Sequence, residues 1–335
     1  MQQGKVKINL SGVSETLLFP LWARAKISRD HPLLFYDAKA VELVEKIDYD
    51  FSTLAVIPFE GNLLPIVARA QHFDNKIKTY ITTHHRASVV NIGAGLDTTF
   101  YRVDNGSIHW YDLDLLPVIE LRKRLIPKTD RSTCIAQSFL DPSCCADVAH
   151  GDGVFVVAGG LLRYFDESRV KQFFSMLADN FPGGEIVFNA SSRLEDNFGA
   201  WVKQLSPQQR KELSATLRDT LEDRWHKAPQ DQKEKLLAAL RFPTTPHSVV
   251  RADLETRWDQ LSAEETDEAL AELWHDYRAL SNWGKGRWAL ADADEIAKWD
   301  SRITVADQFP VFKDFPRDRS LSIDAQRFID FVTDF

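Results

Sequence analysis

Five short segments rich in β-branched and aromatic residues, separated by helical stretches, constrain the fold more than any other feature. The stretches between them include Leu116–Leu125 and Glu167–Asn180, whose apolar residues recur at helical spacing. Strands that alternate with helices indicate β-α-β units and an open parallel sheet covered by helices on both faces. The five predicted strands are Ser88–Ile92, Ile108–Tyr111, Thr133–Ala136, Val154–Val157 and Glu185–Phe188.

The rest of the chain surrounds this α/β core with helices. Residues 13–50 and 62–85 have helical periodicity, and the charged stretch 195–282 is poor in strand-forming residues. We expect Arg302–Val305 to form a sixth strand, and Leu321–Phe335 to form a strand and a short helix. The predicted domains are an N-terminal helical cap (1–85), the core (86–194), a helical insertion or lid (195–282) and a segment that completes the sheet (283–335).

Composition excludes several classes of protein. The 335 residues are 44% hydrophobic, but no apolar run reaches the roughly 20 residues of a membrane span, and Met1–Leu10 lacks the apolar region of a signal peptide. A net charge of -8 argues against a nucleic-acid partner. The adjacent His84 and His85 diverge, and Cys144 and Cys145 lack metal-ligand spacing, so no metal site is expected. These features predict a cytoplasmic protein, either a monomer or a homodimer.

A glycine turn follows the first predicted strand. Val89–Ile92 leads into Gly93-Ala94-Gly95, and glycine allows close approach of a ligand and positive φ angles. Open α/β sheets bind ligands beyond the carboxyl ends of their strands, where this turn lies. A Gly-x-Gly sequence alone is also compatible with an ordinary tight turn.

Acidic residues at the end of the second strand strengthen the case for a nucleoside ligand. Asp112 and Asp114 lie 17 and 19 residues beyond Gly95, where a carboxylate can accept hydrogen bonds from ribose hydroxyls. Thr98 occupies the position of the third glycine in dinucleotide-binding sequences. This favours an adenosine ligand without phosphates over NAD, although a solvated strand end is the alternative interpretation of both aspartates.

A longer set of motifs resembles the leucine carboxyl methyltransferase family and its bacterial polyketide O-methyltransferase relatives. The similarity runs from about residue 11 to 193 and resumes near 287–290 and 295–300. The motifs are Gly12–Thr16, Ala23–Ala25, Val67–Ala70, Asn91–Thr98, Tyr101–Arg102 and Trp110–Asp114.

The resemblance implies a Rossmann-like class I methyltransferase sheet with an N-terminal helical cap and a helical lid. It also implies S-adenosylmethionine as cofactor and S-adenosylhomocysteine as product. The expected reaction is methyl transfer to a carboxylate or hydroxyl oxygen of a small, natural-product-like molecule.

The resemblance also assigns roles to matching residues. Arg69 would bind the cofactor carboxylate, with Arg24 or Lys26 as a second positive group from the first helix. The other expected contacts are Gly93 and Gly95 with the methionine part, Asp114 and Asp112 with the ribose, and Asp141 with the adenine amine.

One position departs from the family pattern. The family reads Ala-Glu-Gly-Leu-Leu-x-Tyr after the fourth strand, whereas this chain has Gly159 in place of the cofactor-binding glutamate. Tyr164 persists and is expected either to face the reaction centre or to pack under the lid. The departure leaves three alternatives open: a diverged member with lost or altered cofactor chemistry, a non-catalytic binding protein on the same fold, and a nicotinamide dehydrogenase.

Overall fold

A computed structural model describes most of the chain, which divides into two compact units. One unit comprises residues 1–51, 60–191 and 287–335, and the other comprises 52–59 and 192–286. The described residues are 5–8, 17–51, 63–192, 202–203, 205–227, 258–280, 287–322, 325–326 and 329–330.

The first unit is built on a parallel sheet of five strands. They are β3 (Ser88–Ile92), β4 (His109–Asp114), β5 (Ser132–Ala136), β6 (Val154–Ala158) and β7 (Glu185–Phe188). Their order across the sheet is β5-β4-β3-β6-β7, and every neighbouring pair is parallel. Strand β3 is central because it pairs with both β4 and β6, and its five residues are all buried.

Helices precede and connect these strands. Asp37 caps the second helix by accepting a hydrogen bond from the Ala40 amide at 2.8 Å, and Asp166 caps the sixth through the Arg169 amide. The helices are α1 (Leu18–Asp30), α2 (Ala38–Lys46), α3 (Leu64–Ile81), α4 (Phe100–Val103), α5 (Leu116–Leu125) and α6 (Glu167–Asn180). Two short strand pairs flank this framework, β1 (Val6–Lys7) with β2 (Ile47–Asp48) and β8 (Ser191–Ser192) with β9 (Ala289–Leu290).

Alternate residues of the central strand supply two separate cores. Val90 and Ile92 face one side, where they join a cluster that includes Phe173 of α6. Val89 faces the other side and joins a cluster that includes Phe73 of α3. This period-two alternation buries both faces of the sheet, which leaves the strand ends as the place where polar side chains gather.

The second unit is helical in its described parts. Helices α7 (Pro207–Lys227) and α8 (Ala263–Leu280) contact each other, and Arg210 forms an ion pair with Asp267 at 2.8 Å. A further short helix in the first unit, α9 (Asp294–Ala297), completes the described elements.

The structure confirms the predicted parallel sheet and all five of its strands, with β4 running three residues further than expected. The helices predicted at 116–125 and 167–180 are also confirmed. The predicted helical stretch 13–50 forms two helices, while its first residues lie outside the described part. The predicted domain boundaries stay a prediction.

The sixth strand predicted at Arg302–Val305 is wrong. Arg302 instead folds back on Asp300, which accepts bonds from its backbone amide at 3.0 Å and its Nε at 2.9 Å. No described strand pairs with this segment, and Val305 is exposed. A run of β-branched residues therefore lacked the partner strand that would have ordered it. Residues 321–335 are described only in part.

No helix among the described residues is long and apolar enough to cross a bilayer. Within those same ranges, no group of three metal-ligating side chains converges.

Candidate functional site

The order of the strands creates a crevice beside the central strand. The chain moves outward from β3 to β4 and β5, then crosses back to place β6 on the other side of β3. At such a switch point the connections leave in opposite directions, so a space opens beyond the carboxyl ends of the two strands. Gly93 follows β3 and Gly159 follows β6, so both glycine turns lie at this crevice.

The first turn needs glycine at both of its predicted positions. Gly93 has φ +67° and Gly95 has φ +49°, which side chains with a Cβ rarely adopt. A Cβ on Gly93 would also lie 3.0 Å from Leu161 Cδ1, which belongs to the turn after β6. The two turns therefore approach each other closely, and the Gly93–Asp97 segment, here called the glycine loop, follows β3 directly.

Asp114 ends β4 and contacts the glycine loop. One carboxylate oxygen accepts the Gly95 amide at 2.8 Å, and the other accepts the Leu115 amide at 2.7 Å. Burial raises the pKa of Asp114 above its ordinary value, while these two amides and Arg122 act in the opposite direction. Each oxygen keeps further acceptor capacity, as a ribose diol would require.

Asp112 lies deeper and is already engaged by the protein. It forms an ion pair with Arg122 at 2.7 Å and accepts hydrogen bonds from Trp110 Nε1 at 2.8 Å and Asn91 Nδ2 at 3.1 Å. Its residue is only 4% exposed. The predicted ribose contact of Asp112 would require this arrangement to break, so the placement favours Asp114 alone.

Arg69 of α3 reaches the turn after β6. A Cβ added to Gly160 would lie 2.9 Å from Arg69 Nη1, and one added to Gly159 would lie 3.9 Å from its Nε. Within the described residues, the Arg69 guanidinium forms no hydrogen bond and no ion pair. Burial lowers its pKa to about 10, and the positive charge of Arg24 adds to this effect. Arg69 is therefore a desolvated cation that lacks a partner anion.

The space of the missing family glutamate is filled by an aromatic ring. A Cβ on Gly159 would lie 3.0 Å from Phe73 Cε2, and Phe73 is packed in the core between α3 and the sheet. The family glutamate thus could not be restored here unless Phe73 moved.

The remaining predicted residues lie around the crevice with different degrees of freedom. Arg24 is buried and bonded to Asp37 and to a loop carbonyl, so its guanidinium is not free for a cofactor. Asp141 is exposed and accepts the Ser143 amide at 3.0 Å, which caps the short helix after β5. Tyr164 is 51% exposed at the end of the turn after β6. The structure brings Arg69, Gly93, Gly95, Asp114, Gly159 and Tyr164 to the ends of β3, β4 and β6.

Sequence reasoning missed three buried charges behind the glycine loop. Arg122 donates to the Asp97 carbonyl oxygen at 2.7 Å, and Asp37 accepts from Arg24 and Thr98. Burial raises the pKa of Asp97, but Arg24, Arg102 and Arg122 more than offset this and hold it below its ordinary value. Asp97 stands inside the quoted motif, whereas Arg122 and Asp37 carry no local signal.

Comparison with known proteins agrees with this geometry. Residues 18–140 match the family model described as leucine carboxyl methyltransferase. The chain is 33% identical over 184 residues to the tetracenomycin polyketide synthesis O-methyltransferase TcmP of Streptomyces glaucescens, covering 55% of this chain and 67% of that protein. The chain belongs to the leucine carboxyl methyltransferase family.

Other relatives share part of this methyltransferase. It is 26% identical over 208 residues to the S-adenosyl-L-methionine-dependent methyltransferase dpfgK of Gibberella zeae, covering 56% of this chain and 68% of that protein. A solved structure of an O-methyltransferase family protein from Burkholderia thailandensis aligns with a TM-score of 0.33 and 14% identity, over 57% of this chain and 61% of that one.

Family membership confirms the predicted class of activity. The protein is an S-adenosylmethionine-dependent methyltransferase, and O-methyl transfer is the reaction that the family and its relatives support. The non-catalytic and nicotinamide-dependent alternatives are not favoured.

Replacing Arg69 by methionine should stabilise the ligand-free protein. Burial disfavours the charged form, so Arg69 costs stability at neutral pH, and this cost is relieved only as the pH rises through about 10. An apolar side chain of similar length should raise Tm by about 2 °C or more at pH 7, measured by calorimetry. Lys78→Met, on an exposed position of the same helix, is the control. A fall in Tm for Arg69→Met beyond that of the control would contradict the unpaired state of Arg69.

Restoring the family glutamate should destabilise the chain through Phe73. Gly159→Glu forces the ring to shift, so we expect a loss of about 1–3 kcal/mol in the free energy of unfolding. The loss should shrink in a Phe73→Leu background, because leucine leaves room for the new side chain. Urea denaturation of the four proteins in a double-mutant cycle measures this coupling. Additive effects would show that Phe73 does not occupy the position.

Proposed function

We propose that this enzyme methylates an oxygen of a small polyketide-like or other natural-product-like molecule, and that Arg69 and Asp114 hold its cofactor. One observation carries the assignment of the cofactor site: Arg69 is a desolvated cation, unpaired within the described residues, at the crevice beside the central strand. The similarity to a polyketide synthesis O-methyltransferase over 67% of that protein supports the class of acceptor.

The residues at the crevice fit S-adenosylmethionine. The guanidinium of Arg69 matches a carboxylate in two parallel hydrogen bonds, which would offset the cost of its burial. The carboxylate of Asp114 suits the ribose diol, and the glycine turn leaves room for the backbone to approach the methionine part. A glutamate that would balance the cofactor ammonium is absent at Gly159, so Arg69 and Asp114 carry a larger share of binding.

The chemistry requires positioning more than covalent help. The bound sulfonium supplies a methyl group that is open to direct displacement by an oxygen nucleophile. The protein must place the acceptor oxygen in line and exclude water, which can account for much of the rate. A carboxylate acceptor needs no base, whereas a hydroxyl acceptor must lose a proton. The half-exposed Tyr164 is the proposed contact of the acceptor oxygen.

The thiols bear on the proposed location. All three cysteines, Cys134, Cys144 and Cys145, are free. Free thiols are typical of proteins in reducing compartments, which supports the cytoplasm as the place of action.

Calorimetric titration with S-adenosylhomocysteine tests the cofactor site. We expect micromolar binding by the wild type and a loss of about 10- to 100-fold for Arg69→Met and Asp114→Asn, because each removes a charge-assisted hydrogen bond. Binding should also weaken as the pH falls through the raised pKa of Asp114, because ribose hydroxyls donate to its ionised form. This pH dependence should disappear in Asp114→Asn.

Wild-type affinity in both variants would refute the assignment of these residues. Asp141→Asn is the matched control, since Asp141 is exposed and serves as a helix cap. Candidate phenols and aryl carboxylates are then incubated with S-adenosylmethionine. A product heavier by one methyl group in place of hydrogen, formed with stoichiometric S-adenosylhomocysteine, identifies the acceptor.

Tyr164→Phe tests the acceptor contact. Removal of the hydroxyl should lower kcat by about 10-fold or more, because a positioned proton acceptor or donor contributes about 10²–10⁴ to a rate. The Kd for S-adenosylhomocysteine should not change, since the cofactor contacts are elsewhere. An unchanged kcat with the identified acceptor would place Tyr164 outside the reaction centre.

A further inference from the structure

Two buried arginines hold three successive carbonyl groups in and beside the glycine loop. Arg122 Nη1 donates to the carbonyl oxygens of Gly95 at 3.1 Å and Asp97 at 2.7 Å. Arg24 Nη2 donates to the carbonyl oxygen of Leu96 between them, at 3.1 Å. The arginines come from α5 and α1, so helices distant in sequence converge on one stretch of backbone.

Each arginine is itself fixed by a buried carboxylate. Arg24 Nε donates to Asp37 at 3.1 Å, and the Arg24 and Asp37 side chains are 5% and 0% exposed. Arg122 pairs with Asp112 at 2.7 Å, with side chains that are 3% and 6% exposed. A buried ion pair is expensive unless its remaining donors are satisfied. In both pairs, donors left over from the carboxylate are taken by main-chain carbonyls of the loop.

The loop has reasons to need such support. Gly93 and Gly95 both have positive φ, and glycine has more freedom to lose on folding than any other residue. One face of the loop is held by Asp114 through the Gly95 amide, and the opposite polarity of the backbone is held by the arginines. Donors and acceptors of the same residue are thus fixed at once, so the loop is ordered before any ligand binds.

We propose that Arg24 and Arg122 are positioning residues that preset the glycine loop for the cofactor, rather than cofactor contacts. This inference rests on the proposed cofactor site and adds to it two residues that act through the backbone. The second positive group expected from the first helix therefore serves the loop. The charge of Arg24 still acts on the site, because it lowers the pKa of Arg69.

Conservative variants of the full-length protein separate positioning from stability. Arg122→Lys and Arg24→Lys keep the positive charge beside Asp112 and Asp37, but a lysine lacks the planar fork that serves a carboxylate and a carbonyl together. We expect the Kd for S-adenosylhomocysteine to rise about tenfold in each, with a stoichiometry near one. A purely structural role would lower Tm or the binding stoichiometry and leave the Kd of the folded protein unchanged.

The control is Arg131→Lys, which makes the same change in the partly exposed pair with Asp104, away from the crevice. It should bind like the wild type. Unchanged Kd values in Arg122→Lys and Arg24→Lys would overturn this inference alone. Absence of binding by the wild type would overturn the proposed cofactor site together with it.

Amide hydrogen exchange of the wild type gives a second test that needs no variant. If the arginines preset the loop, amides of residues 93–99 are already protected without ligand, and S-adenosylhomocysteine raises their protection no more than that of α6. Fast exchange in the free protein that becomes slow on binding would mean that the cofactor orders the loop, and would overturn the inference.

Discussion

The carboxylate of Asp37 is the interaction on which the arrangement of the cofactor region depends. It is fully buried, caps α2, and accepts hydrogen bonds from Arg24 of α1, Thr98 after the glycine loop and Arg102 of α4. A buried charge is tolerated only when it is paired and hydrogen-bonded, so all of these elements must meet at one point. Removing this acceptor would leave two buried guanidiniums without their counter-charge.

Arg102 extends the same network toward α3. It pairs with Asp74, and this carboxylate raises the pKa of Arg102 although burial acts to lower it. The helix that carries Asp74 also carries Arg69, so the network that fixes the glycine loop also fixes the cation that faces it. Arg69 alone is left without a partner among the described residues. The contrast between satisfied and unsatisfied guanidiniums separates structural support from the proposed binding function.

The sequence predicted the sheet because its strands are nearly continuous apolar runs, a pattern that buried parallel strands share. It failed at Arg302–Val305, where similar residues find no neighbouring strand. The glycine turn and Asp114 were found because they follow strand ends directly. The contact of Arg122 with the loop was not found, because no local pattern shows where an arginine in a helix directs its donors.

The sequence by itself determined the family, the order of strands and helices, and the residues at the strand ends, since these depend on local periodicity and short motifs. Only the tertiary structure decided how the charges are shared. Asp112 and Asp114 are equivalent by spacing, yet burial and Arg122 engage the first inside the protein and leave the second at the crevice. Arg24 and Arg69 differ in the same way, because the partner of a charge is set by packing between distant segments.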